Sequence, residues 1–218
     1  MQNAVPGAMS DTLPIEADIA ARALANRRDA YVVEVRRLID AAFTVMSETG
    51  EIDPPVRDIV KHAGLSNQAF YRHFASKDAL LLAVLADGQR QLVEHLRRRI
   101  ATTSDPADQI RRWIGGVLAQ ARDTAAARAT RPFALNGERL AARFPAELAA
   151  GRAELLESLT PAVRTLGGDE QDAAFVRDLA LARMNDAIAQ RRTPTSGEVR
   201  RVVVFCLDGV RGGRTHGT

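Results

Sequence analysis

Cysteine is nearly absent from this 218-residue sequence: Cys206 stands alone. One thiol cannot close an intramolecular disulfide, so a disulfide-stapled scaffold is excluded, and a chain of this length has enough residues to bury a core without staples. Aromatic residues make up 5% of the chain, with one tryptophan and two tyrosines, which starves a β-sheet of its usual fillers. Long apolar runs are also missing. The longest candidate, Val202 to Leu207, is far short of the roughly 18 residues that a membrane-spanning helix needs, so no membrane partner is expected. The opening stretch is polar, unlike a basic and apolar signal peptide, and the cytoplasm is the expected compartment. Lysine is scarce too, since Lys61 and Lys77 are the only two among 30 basic residues.

What is abundant is alanine, leucine and arginine, all good helix formers, and the expected fold class is all-α with about nine helices. The net charge of +3 and a pI near 9.6 permit nucleic-acid binding without requiring it. The position of the charges matters more than their total.

Residues 1–14 hold two prolines and a glycine without periodicity and read as a disordered arm. Val32, Val35, Leu38, Ile39, Ala42, Phe43 and Met46 then recur at three- and four-residue spacing, giving an amphipathic helix that Gly50 stops. Nothing between Ile15 and Tyr31 breaks that helix. Pro55, whose missing N–H costs nothing at a first helical position, opens a second helix that ends at Gly64. Ser66 caps a third, two-turn helix from Asn67 to Phe74, and Ser76 caps a long fourth one bearing Leu81, Leu85, Leu92 and Leu96 on one face.

Beyond Thr103 the punctuation predicts helices over 106–122, 125–143 with a break near Pro132, 146–166, 169–191 and 195–210. Pro161 is expected to kink the third of these or to start a new turn. Gly167-Gly168-Asp169-Glu170 reads as a helix end followed by an acidic first turn. The divisions expected are the arm at 1–14, a smaller helical domain at 15–78 and a larger helical domain at 79–218.

The third helix carries the chemistry. At about 100° per residue, Asn67, Gln68, Tyr71 and Arg72 share an arc of about 140°, while Phe70 and Phe74 point the other way. Amides pair bidentately with adenine and guanidinium with guanine, so the polar arc suits base edges and phosphates. From Lys61 to Lys77 there is no acidic residue, which makes a local cationic face. Lys77, at the start of the fourth helix where free N–H groups already favour an anion, is placed to clamp a phosphate.

The segment VRDIVKHAGLSNQAFYRHFASKDALLLAVL resembles the DNA-binding domain of the TetR family of regulators. The match runs in register through Val56, Arg57, Asp58, Ile59, Ala63, Gly64, Ser66, Tyr71, His73, Phe74, Ser76 and Lys77. The resemblance implies a DNA-binding set of Arg57, Ser66, Asn67, Gln68, Tyr71, Arg72, His73 and Lys77. Of these, Arg57, Tyr71, His73 and Lys77 would hold the backbone, and Asn67, Gln68 and Arg72 would read bases. Where the family commonly has threonine before the valine-arginine pair, this chain has Pro55 and lacks that hydroxyl and N–H. Arg36, Arg27 or Arg28 is left to supply the donor.

The resemblance further implies a homodimer on a pseudo-palindromic double-stranded operator, released by a largely apolar small-molecule effector. Such a protein is nucleoid-associated when bound to DNA. The dimer seam expected from periodicity is Phe175, Leu179 and Ala182 with Val199, Val202, Val203, Cys206 and Val210. Candidate effector contacts are Trp113, Val117, Phe133, Asn136, Phe144, Met184 and Asn185.

No catalytic residue, cofactor or metal is expected. There is no nucleophile paired with a base, no phosphate loop, and no cysteine or carboxylate at ligand spacing from His62 and His73. The competing readings are a ligand-independent DNA-binding protein and, far behind, an enzyme on a helical fold.

Overall fold

The computed structural model describes residues 15–122 and 124–212. The expected arm at 1–14 lies outside them. The described residues form ten α-helices and no strand: α1 (Ile15–Thr49), α2 (Val56–Ala63), α3 (Asn67–His73), α4 (Lys77–Ile100), α5 (Pro106–Ala119), α6 (Thr124–Leu135), α7 (Gly137–Arg143), α8 (Pro145–Thr165), α9 (Glu170–Ala189) and α10 (Ser196–Gly212).

The chain divides into two compact units, Met1–Arg37 and Leu38–Thr218. In the first, the described residues are the N-terminal two-thirds of α1. Ile15, Ile19, Leu24, Val32 and Val33 are exposed there, and Asp18 pairs with Arg22 one turn on at 2.8 Å.

In the second unit the last turns of α1 bury Leu38, Ala41, Ala42, Val45 and Met46 at helical spacing. The core is centred on α5, which packs against α4, α8, α9 and α10. Ile110, Trp113, Ile114 and Val117 of α5 are fully enclosed with Leu96 of α4, Leu159 and Val163 of α8, and Val176 and Ala180 of α9. Trp113 keeps a satisfied polar handle: its Nε1–H donates to Ser158 Oγ at 2.9 Å, and that hydroxyl donates to the Leu155 carbonyl at 2.7 Å. Burying an aromatic of this size contributes roughly 3–5 kcal/mol that truncation would forfeit.

Two prolines lie inside helices. Pro132 lies inside α6, and the break falls four residues later, where both the backbone N–H and the Nδ2 of Asn136 donate to the Pro132 carbonyl. The predicted 125–143 segment is thus two helices, α6 and α7. Pro161 sits inside α8, which continues four residues past it to Thr165 without starting a new element. The turn at Gly167–Asp169 follows the expectation: Asp169 caps α9 in a reciprocal capping box with Asp172.

Candidate DNA-binding surface and effector cavity

The turn between α2 and α3 is built by local chemistry. Gly64 adopts the left-handed conformation (φ 61°), which a side chain would resist, and lets its own N–H reach the Lys61 carbonyl and that of Leu65 reach Val60. Ser66 then caps α3, accepting from the Ala69 N–H at 3.1 Å. Pro55 precedes α2 as its N-cap, with no side-chain capping bond.

Only one side of α3 is anchored. Phe70 is fully buried and Phe74 nearly so, their rings 6.0 Å apart, and Tyr71 meets Phe70 edge-on at 5.1 Å. Asn67, Gln68, Tyr71 and Arg72 are all exposed, Tyr71 by 61%. The four side chains expected on one arc therefore stand together on the solvent side. His73 is half-buried, and Ser66 and Arg57 are exposed, with Arg57 Nε 3.4 Å from Asp58.

Lys77 is less open than its position suggests. Its ammonium pairs with Asp53 Oδ1 at 2.6 Å and donates to the Asp53 carbonyl at 3.4 Å, tying the start of α4 to the loop before α2. Ser76 caps α4 through the Ala79 N–H. Its neighbour Asp78 accepts both Nε and Nη2 of Arg143, so the first turn of α4 is also held by the last turn of α7. Arg36, Arg27 and Arg28 lie on the part of α1 in the first unit.

No local pattern of residues signals the Asp53 and Arg143 contacts. They join residues 24 and 65 positions apart.

Farther along α4 a cavity of about 650 Å³ opens between α4, α6, α8 and α9. Phe43, Leu85, Leu92, Phe133, Leu155 and Met184 give it apolar walls, and Gln89, His95, Gln120 and Thr130 add polar groups. Phe43 and Phe133 stack with centroids 6.4 Å apart. Burial, with Arg99 and Arg98 nearby, lowers the pKa of His95 and favours the neutral imidazole.

Of the seven expected effector contacts, Phe133 and Met184 line this cavity. Trp113 and Val117 belong to the closed core, Asn136 caps off α6, Phe144 is buried at the start of α8 under the Arg143 guanidinium, and Asn185 is exposed. Gln89 and His95, absent from the expected set, are on it. Helical periodicity marks an inward side chain but does not separate core from cavity wall.

Of the expected seam residues, Val203, Cys206 and Val210 are buried within the protomer, and burial pushes the Cys206 thiol up to about 11. Leu179, Val199 and Val202 are half-buried and Ala182 is exposed. Phe175 is 63% exposed, and α10 adds Val204 and Phe205, the latter 72% exposed.

A glycine-turn pair of helices with an outward polar arc, docked on a capped long helix, defines a helix-turn-helix DNA-binding domain. Residues 38–84 match the family model for bacterial regulatory proteins of the tetR family. That match takes in the end of α1, all of α2 and α3, and the start of α4. It is similar to the HTH-type transcriptional regulator BetI of Stenotrophomonas maltophilia, with 40% identity over 88 residues, covering 39% of this chain and 45% of that protein. The chain thus spans less than half the length of that relative. It is 29% identical over 153 residues to an uncharacterized HTH-type transcriptional regulator of Mycobacterium tuberculosis, covering 68% of this chain and 70% of the other. The fold is shared with a TetR family transcription regulator from Marinobacter aquaeolei at 16% identity, with a TM-score of 0.61 over 84% of this chain and 97% of that one. These relatives are regulators, not enzymes.

Proposed function

We propose that this chain is a cytoplasmic, ligand-responsive transcriptional repressor that binds a pseudo-palindromic operator as a homodimer and leaves it when a small molecule occupies the cavity along α4. One observation carries the reading. The helix that starts at the end of the recognition segment, at Lys77, also forms a wall of the cavity through Leu85, Gln89, Leu92 and His95. A molecule that prefers one position of α4 over another shifts the DNA-binding equilibrium by that differential affinity and by no more.

In this reading residues 15–78 form the DNA-binding domain and 79–218 the effector and dimerisation domain. Asn67, Gln68 and Arg72 read bases, while Arg57, Ser66, Tyr71, His73 and Lys77 hold phosphates. The dimer face uses the exposed apolar residues of α9 and α10, Phe175, Val204 and Phe205, beside Leu179, Ala182, Val199 and Val202. Their exposure supports this role, because large solvated aromatics on adjacent helices mark an interaction surface.

The test is an electrophoretic shift of the DNA upstream of the coding region. A dimer-sized complex that survives excess random DNA and dissolves with one class of small molecule is expected. No preference over random sequence at physiological salt would sink the repressor reading, and a complex that no compound dissolves would favour a ligand-independent DNA-binding protein.

A further inference from the structure

We infer that Gln89 and His95 of α4 are the polar anchors of the cavity, and that they select an uncharged, mainly apolar molecule carrying a hydrogen-bond-accepting carbonyl oxygen. The inference rests on the proposed effector role of this cavity and deepens it.

Gln89, Leu92 and His95 follow one another at three-residue intervals and all line the cavity. The Nε2 atoms of Gln89 and His95 are both enclosed, and neither meets a hydrogen-bonding partner among the described residues. A buried polar group left unpartnered is costly, and two of them along one wall of one cavity are a concession with no return inside the protomer. An acceptor oxygen supplied from the cavity provides that return. Because neither Nε2 is engaged in a hydrogen bond, each can donate to such an oxygen without giving up another.

A second observation converges on the same point. The Gln89 amide lies over Gly151 of α8, where a Cβ would come within 2.0 to 2.4 Å of its atoms. Glycine inside a helix is a further concession. Here it gives the amide its seat.

The charges on the cavity rim decide against an ionic ligand. Glu94 and Arg98 both line the cavity and both are exposed, so one charge of each sign stands at the rim and neither sign dominates. Phe43, Leu85, Leu92, Phe133, Leu155 and Met184 supply apolar wall. His95, held toward its neutral form, offers Nε2 to a dipole and no full charge to a carboxylate.

The test uses a fluorescent probe of the required chemistry, the neutral ketone 6-propionyl-2-(dimethylamino)naphthalene, whose emission moves to the red when its carbonyl accepts a hydrogen bond. The full chain is titrated alongside Gln89→Met, His95→Phe and Gly151→Ala. The ketone should bind the parent saturably with red-shifted emission. Gln89→Met should weaken it about tenfold and return the emission to the blue, with a smaller loss for His95→Phe. Gly151→Ala, which evicts the amide from its seat, should also change the affinity. The hydrocarbon twin, in which the carbonyl is a methylene, should bind the parent and Gln89→Met alike, and the matching naphthoate should bind more weakly than the ketone.

Melting of the unliganded Gln89→Met chain at or above the parent temperature separates lost binding from lost folding. Unchanged ketone affinity and emission in Gln89→Met, tighter binding of the naphthoate, or no saturable binding at all overturns the assignment. Operator release is followed in the same samples. A ketone that binds through Gln89 yet leaves the DNA complex intact defeats the effector reading and spares the anchors. Release that ignores Gln89 does the reverse.

Discussion

The recognition segment and the middle helices differ in where they keep their functional groups. In α2 and α3 the apolar residues turn in and the polar ones turn out, so the candidate DNA contacts lie on a surface that helical periodicity alone describes. Along α4, α6, α8 and α9 the groups of interest turn inward with the core, and a cavity wall such as Leu92 has the same spacing as a sealed core residue such as Leu96. An outward-facing site is a local pattern, whereas an inward-facing one exists only where distant helices fail to meet.

Substitutions that separate stability from binding test that contrast most directly. The largest expected effect is in the closed core: Trp113→Ala should cost roughly 3–5 kcal/mol in denaturant unfolding and leave a buried Ser158 hydroxyl without its donor. Arg72→Ala or Gln68→Ala should instead cost about 1–3 kcal/mol of specific operator binding and less than about 0.5 kcal/mol of stability, with little change on random DNA. A large loss of stability from either exposed residue would erase the distinction between the two regions.

Lys77 gives a smaller, more discriminating effect. Lys77→Ala should weaken binding to all sequences alike and reduce the slope of log affinity against log salt by about 1. Because Asp53 now holds that ammonium, Asp53→Asn should raise affinity for all sequences if the pair competes with phosphate, as competition binding at two salt concentrations would reveal. Asp78→Asn, which weakens the pair with Arg143, should cost at most about 1 kcal/mol of stability, since both side chains are partly solvated. A shift in effector concentration for half-release that exceeds this small loss would mark the pair as a link between the two regions.

The smallest effect concerns pH. His95 has a folded-state pKa below its ordinary 6.5, so the unfolded chain takes up its proton first on acidification. The stability contributed by the neutral imidazole is present above about pH 6.5 and is lost as the pH falls through the lowered folded value. Melting curves between pH 7.5 and 5 should show a shallower decline for His95→Phe than for the parent. An identical decline would assign the acid sensitivity to other groups.

Much of the DNA-binding region was legible in the sequence because its determinants are close neighbours. Gly64, Ser66 and Ser76 each act on partners within four residues, and Phe70 with Phe74 fixes which side of α3 turns in. The prolines were partly legible: a break does follow Pro132, at Asn136, whereas α8 runs on past Pro161 to Thr165. Trp113 and Val117 were expected in an effector site and belong to the core, because periodicity reports burial and not what does the burying.

The amino-acid order by itself determined that this chain is helical, where its turn-making residues stop and restart the helices, and which four side chains of α3 face solvent. Each of those outcomes depends on interactions within a turn or two of helix. Tertiary structure alone decided that Lys77 would be held by Asp53, that Asp78 would meet Arg143, and that Gln89 would rest on Gly151 with its amide unpartnered. Those contacts join residues tens of positions apart, and only the packing of whole helices brings them within reach.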